Sequence, residues 1–252
     1  MNPKNILMVV ANPAISTTLG WPVGFWASEL IHPYDALSRA GHRLVIASPA
    51  GGRVEADAYS DPRDASGYSR DDALSREYLE RADFNRLLAA TPSIANVDPV
   101  DFAAVIVAGG QSPMFTFRNH AALQALFLAF LGSGKPSAAL CHGTCLLLDL
   151  RDKAGDPVIR GRRITGFANT EEDFVEQAVG RKVMPFRIED EARRLGADFV
   201  TGPAFQPFAV RDGNLVTGQQ QHSGHEVARL VMEMLAAAKP GELPTVAEGT
   251  SS

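Results

Sequence analysis

The pattern of apolar and polar positions along the 252-residue chain alternates between two periods. Short apolar runs rich in β-branched residues, as expected for buried strands, occupy residues 6–11, 43–48, 103–107 and 137–140. Between these runs, apolar residues recur at helical spacing, most clearly over 25–40 and 120–131. Strands that alternate with helices predict an α/β fold with a parallel sheet.

Turn and cap residues indicate where these elements end. Gly41 is expected to terminate the first helix, and Asn119 is expected to cap the helix that Gly132 ends. Towards the end of the chain, the pattern predicts short strands within 158–167 and 209–218, the second of them a hairpin turning at 211–214. An amphipathic helix is predicted over 224–238.

The domain organisation follows from these elements. Residues 51–100 are too long for an ordinary βα connection, so they are interpreted as an insertion, partly helical over 71–90. We expect a single α/β domain over 1–238. The tail over 239–252 contains almost nothing to bury and is expected to be mobile.

Composition and charge narrow the classes of partner. With 45% hydrophobic and 21% charged residues, the chain is typical of a globular protein, and its formal net charge of −5 gives no reason to expect nucleic acid or an anionic membrane as partner. There is no apolar run long enough to span a membrane, and the first residues lack the features of a signal peptide. These observations predict a cytoplasmic protein that acts on a small molecule.

The two cysteines, Cys141 and Cys145, stand in different settings. Cys141 follows the apolar strand over 137–140 at a Cys-His-Gly corner, as the nucleophile does in the strand-turn-helix elbow of hydrolases. A following helix N-terminus is expected to favour its thiolate form. Cys145 lies one turn further along and is expected only to pack. The His, Asp and Glu spacings do not indicate a metal site.

Several short motifs occur together in the chain: ILMVV at 6–10, GFWASEL at 24–30 followed by HPY at 32–34, SPAGG at 48–52, AGG at 108–110, ALCHG at 139–143, ITGF at 164–167 and LVTG at 215–218. Together they resemble the PfpI branch of the class I glutamine amidotransferase-like superfamily, which includes the Parkinson-disease-associated protein. The block over 29–34 and the long insertion are most similar to the subgroup of the heat-shock chaperone and glutathione-independent glyoxalase III enzymes. The resemblance implies a flavodoxin-like sandwich of a mainly parallel sheet between helices, no cofactor, and a homodimer.

The resemblance also implies roles for individual residues. Cys141 matches the nucleophile and His142 its acid/base partner, and Glu29 matches the glutamate that hydrogen-bonds the reactive thiol and relays a proton. The acidic residue that orients the histidine falls on Glu172, with Glu171 or Asp173 as the alternatives if the register slips.

At the positions expected to bind substrate, the chain matches the family pattern less completely. Gly109 and Gly110 match a turn whose backbone approaches the ligand, so that the Gly110 amide could stabilise an oxyanion. Gln111 then stands where the family usually has histidine, and Thr144 replaces a common proline. His222 is either part of a polar loop at a helix start or a residue at the mouth of the site.

Three functions are consistent with this pattern. The leading hypothesis is a cofactor-independent, glyoxalase III-like conversion of a 2-oxoaldehyde such as methylglyoxal to a 2-hydroxy acid, through a hemithioacetal at Cys141. The same nucleophile could instead serve an amidase, peptidase or deglycase, or a hydratase of a carbon–nitrogen bond. The third hypothesis is a stress-related holding chaperone, which would depend on exposed apolar surface and not on the thiol.

Overall fold

A six-stranded sheet lies at the centre of a computed structural model, which describes residues 3–238. The tail expected to be mobile, 239–252, lies outside the described residues. The strands are β1 Asn5–Val9, β2 Ala14–Ile15, β3 Pro22–Val23, β4 Arg43–Ala47, β5 Ala104–Val107, β6 Ser137–Leu140, β7 Arg163–Ile164, β8 Asp198–Phe199, β9 Ala209–Asp212 and β10 Leu215–Gly218. The α-helices are α1 Ala27–Arg39, α2 Ala73–Glu80, α3 Ala82–Ala89, α4 Pro113–Thr116, α5 Ala121–Gly132, α6 Asn169–Val179, α7 Ile188–Arg194 and α8 Gly224–Ala237. Short 3₁₀ helices span Ala58–Ser60, Ile94–Asn96, Pro99–Asp101 and Cys141–Asp149.

The central sheet has the order β4-β1-β5-β6-β10-β9. All neighbours pair in parallel except β9 and β10, which form the antiparallel hairpin that the sequence predicts. The order reverses between β1 and β5, which is where ligands bind in open α/β sheets. The flavodoxin-like α/β prediction is confirmed.

Alternate strand residues face two separate cores. Leu7 and Val9 pack with α5, α7 and the 3₁₀ helix that begins at Cys141. Ile6 and Met8 pack on the opposite face with α1, α8, and the two helices of the insertion, α2 and α3. Because the strands are buried on both faces, they read as continuous apolar runs in the sequence.

Several elements differ from their prediction. Only Arg163–Ile164 of the segment 158–167 is a strand, and α6 and α7 were not predicted. Asn119 does not cap α5, because its backbone is left-handed (φ 59°), and the His120 imidazole accepts the Leu123 amide in its place (3.3 Å). Among residues 3–238, none of the helices combines the length and hydrophobicity needed to span a lipid bilayer.

Candidate active site

Cys141 stands at a sharp corner between β6 and the 3₁₀ helix Cys141–Asp149. Its backbone is in the left-handed region (φ 55°), which is unusual for a residue with a side chain and is typical of strained functional turns. The corner lies so close to the end of β5 that a side-chain carbon at Gly143 would sit 2.7 Å from the Ala108 carbonyl oxygen. The glycine of the Cys-His-Gly motif is therefore required by close packing.

Cys141, His142 and Glu172 form a connected set of side chains. The Cys141 Sγ lies 3.7 Å from His142 Nδ1, and His142 Nε2 lies 3.0 Å from Glu172 Oε1. All three residues are buried, and the Phe167 ring stacks on the imidazole with centroids 4.2 Å apart. The imidazole is thus fixed between a carboxylate and the thiol, as an acid/base group must be.

The two alternatives to Glu172 have other partners. Glu171 is buried, and its oxygens accept the amides of Ala168 and Phe205 and the Gln219 side chain. Asp173 forms an ion pair with Arg187. Of the three neighbouring acidic residues, Glu172 is the one that reaches His142.

Glu29 lies beside Cys141 at the start of α1. Its Oε2 accepts the Gly109 amide (2.8 Å), whereas Oε1 has no hydrogen-bond partner among the described residues. The Glu29 side chain also interacts with the Cys141 thiol. Complete burial is the main cause that raises the pKa of Glu29 to about 8. Glu29 is therefore mostly protonated at neutral pH and holds a proton next to the sulfur.

Burial also affects the protonation state of the Cys141 thiol. Removal from water raises the pKa of the thiol well above its usual range, and a charged Glu29 raises it further, whereas the amides of His142 and Gly110 act in the opposite direction. The amide at the start of the following helix favours the thiolate, as expected, but burial acts more strongly in the opposite direction. The thiol consequently needs a base, and His142 is in place.

The backbone of Gly110 faces the same sulfur. Its φ of 102° is accessible to glycine, and a side chain there would overlap the backbone of Phe25 and Trp26. The Gly110 and His142 amides both point at the Cys141 sulfur, so they can also receive an oxyanion that forms there. Gly109 cannot contribute in this way, because Glu29 already accepts its amide.

Asp57, from the insertion, is a site residue that the sequence analysis missed. It is buried and accepts the amides of Gly24 (2.8 Å) and Gln111 (2.7 Å). Burial raises its pKa to about 7. Asp57 thus ties the insertion to the segment before α1 and to the loop that carries Gly110. Nothing in the sequence distinguishes it from the other aspartates of a polar stretch.

A cavity of about 230 Å³ opens above Cys141. Four of the predicted site residues line it: Gln111, Cys141, His142 and Glu172. Most of its wall is aromatic or aliphatic and was not predicted: Trp21, Trp26, Tyr59, Tyr68, Phe167, Phe174, Val175, Ala178, Val179, Val183, Met184 and Phe205, with Gln221. Two aromatic residues within the otherwise polar insertion, Tyr59 and Tyr68, are the sequence feature that could have indicated part of this wall.

The other predicted site residues are not part of the lining of this cavity: Glu29, Gly109, Gly110, Thr144 and His222. The Thr144 hydroxyl donates to the Cys141 carbonyl oxygen (2.6 Å), so it shapes the corner. His222 lines a neighbouring depression together with His32 and Asp72. Cys145 lies in the apolar core, where its thiol donates to the Pro113 carbonyl oxygen. Within residues 3–238, the His, Cys, Asp and Glu side chains form no cluster that could hold a metal ion.

A mainly parallel α/β sheet with a buried cysteine at a strand-to-helix corner is typical of a class of α/β proteins. Comparison with known proteins identifies the family within that class. The model of the DJ-1/PfpI family matches residues 23–234, and the chain belongs to this family. It is 27% identical to the glutathione-independent glyoxalase HSP31 of Saccharomyces cerevisiae (90% of this chain, 96% of the relative). It is also 27% identical to glyoxalase 3 of Candida albicans (84% of this chain, 90% of the relative). The solved structure of the Rapid Encystment Protein 24 kDa of Francisella tularensis superposes with a TM-score of 0.83 at 27% identity (92% of this chain, 99% of that chain).

Proposed function

We propose that this protein is an enzyme that converts a 2-oxoaldehyde to a 2-hydroxy acid without glutathione or another cofactor. The observation that carries the proposal is the set Cys141–His142–Glu172 beneath a largely apolar cavity, with the buried Glu29 carboxyl beside the thiol. Relatives with this activity in their names match the chain over most of its length.

The first step is addition of the thiol to the aldehyde. His142 Nδ1 takes the thiol proton as Cys141 Sγ bonds to the aldehyde carbon. The amides of Gly110 and His142 stabilise the developing oxyanion, and Glu29 supplies the proton that makes it a hydroxyl. The product is a hemithioacetal, a charged Glu29 and an imidazolium held by Glu172.

The second step moves hydrogen between the two carbons. Glu29 removes the proton from the former aldehyde carbon while His142 protonates the ketone oxygen, which gives an enediol. Glu29 then returns its proton to the second carbon and His142 takes a hydroxyl proton, which leaves a thioester of the 2-hydroxy acid. Glu29 takes a proton from the water that attacks the thioester, and His142 reprotonates the departing sulfur.

The thioester supplies a direct test. After a brief reaction with methylglyoxal and quenching in acid, peptide mass spectrometry should find an acid-stable adduct with the mass of methylglyoxal on Cys141. Cys145→Ala is the matched control and should retain the adduct. Lactate formation with Cys141 unmodified at every reaction time would contradict the covalent route.

We further infer that residues 1–238 act as one domain, since both apolar cores pack on the same sheet. The resemblance to the family supports a homodimer, and the two free thiols suit a reducing compartment such as the cytoplasm. Light scattering of the purified protein gives the oligomeric state: twice the chain mass of 27.0 kDa is expected.

A further inference from the structure

The walls of the cavity above Cys141 are built from two groups of aromatic rings. On one side, Tyr68 meets Trp26 edge to face (5.9 Å between centroids) and Tyr59 in the same way (6.2 Å). On the other side, Phe174 of α6 meets Phe205 (5.1 Å). The two groups come from distant parts of the chain and face the same space.

Several of these rings remain open to solvent at the rim. Phe174 is 56% exposed, Tyr68 52% and Tyr59 44%. Large rings that stay exposed around a cavity are favourable contact surface for an apolar ligand, because its entry removes both surfaces from water.

The described lining of the cavity does not favour a negatively charged substituent on the substrate. Among the described residues, no lysine or arginine lines the cavity, so a phosphate or carboxylate substituent would find no guanidinium or ammonium partner there. Its acid/base groups, Cys141, His142 and Glu172, lie at the reacting sulfur, and the rest of its polar lining is uncharged: Gln111, Gln221, Tyr59 and Tyr68. The Gln111 amide oxygen accepts the Trp21 indole N–H (3.1 Å), which holds this side chain against the Trp21 side of the cavity.

The cavity is also larger than a three-carbon substrate requires. A volume of about 230 Å³ accommodates many water-sized positions, since roughly 10–15 Å³ on this measure holds one water. Methylglyoxal bound at Cys141 would therefore leave part of this volume unfilled.

We propose that the substrate is a 2-oxoaldehyde that carries an aromatic ring on its ketone carbon, a refinement that rests on the function proposed above. The dicarbonyl end reacts at Cys141, and the ring occupies the space between the Phe174–Phe205 wall and the wall of Trp26, Tyr59 and Tyr68. Aromatic rings pack well against the edges and faces that these walls present.

The chemistry is balanced for such a substrate. The aldehyde carbon is oxidised to a carboxylic acid and the neighbouring ketone carbon is reduced to an alcohol, and one water is added. Phenylglyoxal would thus yield mandelic acid, with no external oxidant or reductant.

The test compares phenylglyoxal with methylglyoxal on the same preparation, by chromatography of mandelate and lactate. We expect kcat/KM to be at least tenfold higher for phenylglyoxal. Phe174→Ala should lower kcat/KM for phenylglyoxal by a factor at least five times larger than the factor by which it lowers kcat/KM for methylglyoxal. Val100→Ala, at an exposed apolar residue outside the cavity lining, is the control and should change neither.

The outcomes separate this inference from the function beneath it. Turnover of methylglyoxal as fast as phenylglyoxal, or an equal effect of Phe174→Ala on both, would overturn the aromatic preference and leave the glyoxalase function standing. If the folded protein turns over neither compound, the proposed function fails and the preference fails with it.

Discussion

At the scale of single residues, two buried carboxyl groups shape the site: Glu29 lies beside Cys141, and Asp57 accepts an amide of the loop that carries Gly110. Glu29 and Asp57 are both fully enclosed, and burial raises the pKa of Glu29 to about 8 and that of Asp57 to about 7. A charged Glu29 opposes formation of the thiolate, whereas a protonated Glu29 can give its proton to the substrate oxygen. The activity should therefore depend on the protonated form of Glu29.

The first prediction concerns Glu29→Gln. The amide keeps the shape of the side chain but cannot exchange a proton, so we expect kcat to fall by about 10² to 10⁴. Wild-type kcat should decline as pH rises through about 8, where Glu29 loses its proton. The residual activity of the variant should lack this decline, which a pH–rate profile would measure. A variant with wild-type kcat would refute the role of Glu29 as proton donor.

The second prediction concerns Asp57, a positioning residue for the loop of Gly110. Asp57→Ala leaves the amides of Gly24 and Gln111 without their acceptor, at a cost of about 1–3 kcal/mol each. We expect kcat/KM to fall at least tenfold at temperatures well below unfolding, and Asp57→Asn, which keeps one acceptor oxygen, to recover part of it. Unchanged kinetics in a merely destabilised Asp57→Ala would show that Asp57 does not position the loop.

The same group makes a third prediction, for stability against pH. The folded state holds the Asp57 proton more tightly than the unfolded chain, in which the pKa of this carboxyl group is near 3.8. This contribution to the free energy of unfolding is complete below about pH 3.8 and is lost as pH rises through about 7. Denaturant unfolding across that range should show the loss in the wild type and a smaller one in Asp57→Asn. If the free energy of unfolding fell equally with pH in the two proteins, the raised pKa of Asp57 would be contradicted.

At the scale of elements, three parallel strands bring the site together. Residues that follow β1, β5 and β6 meet at the carboxyl edge of the sheet, which places Glu29, Gly110 and Cys141 side by side. The strands were predictable because burial on both faces makes their sequences continuously apolar. The acid on α6 was predictable only through the family resemblance, since the helix itself was missed.

Other parts of the site depend on tertiary packing that no local pattern records. Asp57 and the rings of Tyr59 and Tyr68 lie in the insertion, whose polar, glycine-rich sequence resembles an ordinary surface loop. The rise in the thiol pKa could not be predicted for the same reason, because complete burial of Cys141 is a property of the assembled fold.

A fourth prediction tests the tight corner at this edge. Gly110→Ala should unfold at a lower temperature and lose most activity, because the new side chain would overlap the backbone of Phe25 and Trp26. Gly132→Ala, at the end of α5 with open space around it, is the matched control. It should retain activity and be equally or slightly more stable. Equal melting temperatures and activities for the two variants would contradict the described packing.

At the scale of the whole molecule, the fold separates two tasks. The sheet and its two apolar cores hold the backbone at the carboxyl edge, and the insertion and α6 supply the walls of the cavity above it. We therefore propose that the sheet sets the positions of the reacting groups, whereas the segments that form the cavity walls set the substrate preference. Gln111 belongs to the second group, since its side chain joins the Trp21 wall.

The measurement that tests the central claim most directly is turnover of 2-oxoaldehydes by the wild type, Cys141→Ala and Cys145→Ala, without glutathione and with a metal chelator present. Wild type and Cys145→Ala should form the 2-hydroxy acid at similar rates, and Cys141→Ala should lose at least three orders of magnitude in kcat. Full activity of Cys141→Ala, or a wild type that forms no 2-hydroxy acid but releases ammonia from amides, would contradict the account.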